Sequence, residues 1–119
     1  MKRTVAVVLA LMIAAPALAQ DRPPAQRQTL KDLAFTLGES HALRQACQGT
    51  GDQYWRGKMS EMLQVETPDE GFDRTLRESF NTGFAAAQAQ FPSCDSHSQA
   101  QAAQVARHGA GLAETAGRP

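Results

Sequence analysis

The residues with the greatest chemical reach in this 119-residue chain are two cysteines, three histidines and a single tryptophan. Cys47 and Cys94 lie far apart, whereas redox pairs usually sit two residues apart, so a structural disulfide is the expected chemistry. His97 and His108 are eleven apart on one expected helix. They share a face but are separated by roughly 16 Å of helical rise, too far to chelate one ion. Cys94-Asp95-Ser96-His97 has the Cys-x-x-His spacing that can open a zinc site. It needs a free Cys94 and a second pair of ligands that the sequence does not offer. Glu39-Ser40-His41 places a nucleophile, a base and a carboxylate within one turn. Adjacent helical side chains diverge by about 100°, however, and nothing nearby supplies an oxyanion hole.

Other chemical signatures are equally sparse. There is no glycine-rich phosphate loop, no Cys-x-x-Cys-His haem attachment and no acidic calcium loop. Met59 and Met62 sit at helical spacing with Trp55, which reads as core filling rather than a copper site. The expectation is therefore no catalytic residue, no metal and no cofactor. If the chain binds something, the residues to watch are Arg44, Trp55, Arg56 and Asn81. Arg44 falls on the stripe of Leu37 and Cys47 and needs a carboxylate if partly buried. Asn81 lies beside a core stripe, within hydrogen-bonding reach of a neighbouring helix.

These residues must be carried on something, and the pattern is helical. The chain opens with Lys2 and Arg3, then runs apolar from Val5 to Ala15. Pro16 and Ala17-Leu18-Ala19 follow, ahead of polar Gln20 and Asp21. That is a cleavable signal peptide over residues 1–19, cut between Ala19 and Gln20, with cleavage after Ala17 as the alternative. Eleven apolar residues span roughly 17 Å as a helix, against about 30 Å of hydrocarbon. Stable membrane insertion after processing is therefore not expected. Losing Lys2 and Arg3 leaves a domain of about 100 residues with two more anions than cations, large enough for one modest core. No basic block remains to neutralise phosphates, so no nucleic acid is expected as partner.

Residues 20–28, with Pro23-Pro24, read as a flexible leader, and residues 29–116 as the helical domain, followed by a disordered tail at 117–119. Leu30, Leu33, Leu37, Leu43 and Cys47 mark helix 1, ended by Gly49 and Gly51. Helix 2 starts at an Asp52 cap and carries Trp55, Met59, Met62 and Leu63, ending at Glu66. Helix 3 opens on Thr67-Pro68-Asp69-Glu70, a capping-box spacing. It carries Phe72, Leu76, Phe80, Gly83, Phe84, Ala87 and Phe91 until Pro92 stops it. Helix 4, capped by Asp95 or Ser96, presents only small residues with Val105 and Leu112. Gly38 and Gly83 each cost about 1 kcal/mol inside a helix, so a close helix crossing is expected there.

Helix polarity also tests the disulfide. Cys47 ends helix 1 and Cys94 follows the end of helix 3. An up-down-up-down bundle brings those two ends to one pole, and the bond then requires only that helices 1 and 3 be neighbours. An exported protein meets the oxidising conditions in which such a bond forms.

Leu37-Gly38-Glu39-Ser40-His41-Ala42-Leu43-Arg44, Cys47, Trp55-Arg56 with Met59, Phe80-Asn81-Thr82-Gly83-Phe84 and Cys94 together resemble a family of small uncharacterised secreted proteins of alphaproteobacteria. The likeness covers about residues 30–115. In that family a large apolar residue is usual where Ser40 stands, and tyrosine where Phe84 stands. Ser40 thus weakens the helix 1 stripe, and Phe84 lacks a hydroxyl contact. The resemblance implies an envelope location and this fold, and no reaction.

The sequence thus predicts an all-α, small four-helix up-down bundle with one disulfide, preceded by a signal peptide and located in the periplasm. The expected role is a non-enzymatic binding or regulatory module with an envelope protein as partner. A small ligand carrier or enzyme with a pocket near Arg44 and Trp55 is one alternative, and a helical periplasmic chaperone another.

Overall fold

Pro23 and Pro24, which look like linker residues, start the first helix. Proline at the first helical position loses only an N–H that has no partner there, and its fixed φ is already helical. In the computed structural model, which describes residues 19–117, a 3-10 turn (Ala19–Asp21) leads into α1 (Pro24–Gln48). Gln26 and Arg27 donate to the Pro23 carbonyl, both at 3.0 Å. The expected flexible leader 20–28 is therefore corrected: helix begins five residues ahead of Thr29. All but Ala19 of the expected signal peptide 1–19, and the last two residues of the expected tail, lie outside the described residues.

Three further helices follow, α2 (Tyr54–Glu66), α3 (Glu70–Gln90) and α4 (Ser96–Ala116), and the described residues contain no strand. Asp52 does not cap α2 from the N-cap position, which Gln53 holds, but its carboxylate accepts the Tyr54 N–H at 3.2 Å. The expected Thr67 cap of α3 moves two residues on. Asp69 takes it, accepting from Phe72 N at 2.8 Å, while Thr67 closes α2 in the left-handed conformation at φ 40°. Asp95 caps α4 in a reciprocal box with Ser98. The Ser98 N–H holds the Asp95 carboxyl below its ordinary range.

Direction and packing follow from contacts. Arg27 lies over the Phe72 ring, and Cys47 is bonded to Cys94, so α1 and α3 run parallel. Arg44 meets Asp52 at one end of α2 and Arg22 meets Glu66 at the other, which makes α2 antiparallel to α1. Gly109 against Thr36 and Ala116 beside Arg22 make α4 antiparallel as well. The helices thus alternate, but α1 is central and packs on all three others, which touch one another only marginally. This is why α1 buries Ala34, Gly38, His41 and Ala42 as well as its leucine stripe.

The α1–α3 contact is built on two glycines. A Cβ on Gly38 would collide with the Phe80 carbonyl and come within 2.9 Å of Phe84 N; one on Gly83 would collide with the Phe35 carbonyl. The close crossing expected from the sequence is present and reciprocal. Around it lie two apolar clusters. One is built on Leu30, Leu37, Leu63 and Leu76; the other, towards the disulfide, on Leu43, Phe91 and Val105.

Candidate functional site

The four residues singled out as a binding surface do not form one site. Arg44 is exposed rather than partly buried. Its Nε lies 2.9 Å from each Asp52 carboxylate oxygen, and its guanidinium 4.9 Å from the Tyr54 ring centre. Partial desolvation opposes ionisation of Asp52, but hydrogen bonds from Arg44 and the Tyr54 N–H hold its carboxyl below the ordinary value. Arg56 is exposed, 6.0 Å from the Phe80 ring centre, and Asn81 is exposed on α3. Trp55 is half-buried, edge-on to Tyr54, and turns towards a different feature, a groove.

The histidines are also dispersed. His41 is 2% exposed, wedged against Phe80 and Phe84 with ring centres 5.6 and 5.3 Å away. Burial, with the Arg56 charge, pushes its pKa down, while Asp52 pulls it up. Its Nδ1 has no hydrogen-bond partner among the described residues. His97 packs on Phe91. His108 acts on Glu39, whose carboxyl is pushed up by burial and drawn back by that histidine. Among the described residues no group of three or more His, Cys, Asp or Glu is placed to hold a metal ion.

The groove is where the structure concentrates binding potential. It lies between α1, α2 and α4, with a volume of about 520 Å³. Leu30, Leu33 and Leu37 form its floor, and Trp55, Met62 and Val65 the α2 wall. Ala106, Gly109, Ala110 and Ala113 form the α4 wall. It exists because α4 carries small side chains on this face: α4 approaches α1 closely at Gly109 but leaves a gap towards α2. Val65, on the rim, is 70% exposed.

One end of the groove is closed by Arg22. Its guanidinium spans from Glu66, at 2.9 and 2.8 Å, to the Ala116 carbonyl at 2.7 Å, so it ties the ends of α2 and α4 together. Glu66 is buried for this reason, although it looks like an exposed helix end in the sequence. Sequence reasoning missed this clamp, since the partners are 44 and 94 residues apart. It also missed the groove, whose one legible sign was the excess of small residues on α4.

Fold and site together define a class: an all-helical domain tied by one disulfide, built around a central helix and opening an apolar groove on one side. Residues 25–117 match the family described as "Protein of unknown function (DUF2385)". The chain belongs to that family. No curated protein matches it, and no solved structure does.

Proposed function

We propose that this protein is a non-enzymatic binding module of the cell envelope and that the groove between α1, α2 and α4 is its binding surface. The observation that carries this reading is the groove itself. It is apolar, open along one side and within the range of small-molecule sites, about 300–1,000 Å³. The sequence left three kinds of occupant: an envelope protein, a small ligand or substrate held near Arg44 and Trp55, or the client of a helical chaperone. The closed end at Arg22 favours the ligand, because an elongated protein segment would run on past that point. Regulation of an envelope partner would follow from ligand occupancy.

The periplasmic location is part of the proposal. The Cys47–Cys94 bond fits an oxidising compartment, and no helix among the described residues is long and apolar enough to cross a membrane. Export through residues 1–19 accounts for the bond. The intact mass of the protein recovered from the periplasm is expected to lack residues 1–19 and two hydrogens.

Native mass spectrometry of protein isolated from the envelope tests the ligand reading. A small-molecule adduct is expected on the wild type and none on Ala110→Phe, which fills the groove. A photo-reactive side chain at Val65 that captures an envelope protein, with no adduct present, would restore the protein-partner reading. Capture only from Arg56 or Asn81 would move the binding surface to the other face.

A further inference from the structure

Resting on the groove as binding surface, we infer that its occupant is a single-chain amphiphile: a long unbranched aliphatic chain ending in a carboxylate, as in a fatty acid. The first argument is a hydroxyl. Thr29, Thr36, Ser60, Thr75, Thr82 and Thr115 all turn their hydroxyls onto the carbonyl four residues back. Ser40 does not. It is 4% exposed, lines the groove and makes no hydrogen bond among the described residues. Its Oγ is not among the buried atoms left without a partner, so it meets water at the groove surface, and a ligand head bonding there replaces that water.

The second argument is the polarity of the trough along its length. The antiparallel run of α1 and α2 sets Leu30 and Val65 at the Arg22 end, with Ser40 and Trp55 at the other. At the closed end the charges of Arg22 and Glu66 satisfy each other and leave apolar walls for a tail. Towards the Ser40 end, one turn along α2 from Trp55, stands Lys58. Its ammonium lies 3.4 Å from the Glu61 carboxylate, which also lines the groove, and 5.6 Å from the Tyr54 ring centre, and the Lys58 and Glu61 side chains are exposed, so an anionic head competes with Glu61 for it. An anionic head placed at that end meets the Ser40 hydroxyl and the Lys58 charge together.

The walls argue in the same direction. The α4 side is alanine and glycine only, a smooth surface with no pockets for side chains. A partner helix needs holes for its protruding residues and a face of roughly 800 Å². A methylene chain needs neither.

Trp55 is the only tryptophan and lines the groove, so it reports on binding directly. The full disulfide-bonded protein, stripped of lipid, is titrated with palmitate while Trp55 emission is followed. A saturable change is expected. Ser40→Ala should weaken binding roughly 3- to 10-fold, and Lys58→Ala roughly 2- to 5-fold. Hexadecanol, which keeps the chain and loses the charge, should bind the wild type more weakly than palmitate and be indifferent to Lys58→Ala. Ala110→Phe should abolish the response with helix content and melting retained; Ala113→Leu serves if that variant does not fold. No saturable response to palmitate, or an unchanged one in the groove-filled variant, overturns the assignment. A native adduct together with failure to bind palmitate would refute the fatty acid and leave the groove as the binding surface.

Discussion

The surroundings of His41 favour its neutral form, since a charged imidazole between Phe80 and Phe84 loses solvation and is repelled by Arg56, against a smaller pull from Asp52. Its folded pKa lies below the unfolded value of about 6.5, so the unfolded chain binds the proton more readily. This contribution is fully present above that value and is lost as pH falls towards the folded pKa. Glu39, with its carboxyl pushed up by burial, runs in the opposite sense and at lower pH. Urea midpoints are therefore expected to fall between about pH 7.5 and 5.5, and His41→Leu should flatten that slope. A slope unchanged in the variant would assign it elsewhere. Arg22 makes a second residue-scale case. Replacing it by alanine strands Glu66 with its side chain 7% exposed, and a loss of about 3 kcal/mol in chemical unfolding is expected. Arg22→Met with Glu66→Leu should recover most of it. Neither effect was legible in the sequence, because each depends on which side chains the tertiary fold brings together.

At the level of elements, the sequence was most informative where a local rule decides the outcome. The α3 stripe, its stop before Pro92 and the Asp95 cap are local, and the structure contains them. The start of α1 and the cap of α3 were misplaced because Pro23-Pro24 and Thr67-Pro68 each satisfy two local rules, and the surrounding packing chooses between them. The burial on α1 was also understated: a helix packed on three sides has no single stripe to read. Glycines give the sharpest element-scale test, since one substitution should have opposite signs at different sites. Gly38→Ala and Gly83→Ala drive a methyl group into the facing backbone, and each should destabilise by about 2–3 kcal/mol. Gly57 and Gly111 are exposed within α2 and α4 with open space around the added methyl. There alanine should stabilise by about 0.5–1 kcal/mol through helix propensity. Thermal melts of the four variants check this, and a common sign would contradict the close crossing.

For the whole molecule, cysteine spacing and helix polarity together carried the disulfide from sequence to structure. Parallel α1 and α3 bring Cys47 and Cys94 to one pole, with Cα atoms 4.8 Å apart. The sequence did not reveal that α1 and α3 are the closest pair, a consequence of the two glycines meeting. The bond sits at the end of that crossing and the Arg22 clamp at the far end of the molecule, so the two fasten opposite poles of a fold whose outer helices scarcely touch. The loop that the disulfide closes spans 47 residues, and its removal from the unfolded ensemble is worth roughly 4 kcal/mol in the chain-entropy account. Cys47→Ala with Cys94→Ala is therefore expected to lower unfolding stability by about that amount, a large share of the roughly 5–15 kcal/mol available to a domain. The same double variant should leave the groove intact, because its lining is fixed by α1, α2 and α4 and not by the α3 terminus. At a temperature where the double variant remains folded, Trp55 emission and its response to palmitate should match the wild type. A variant that is folded yet has a changed Trp55 environment would mean that the disulfide end and the groove are coupled through α1.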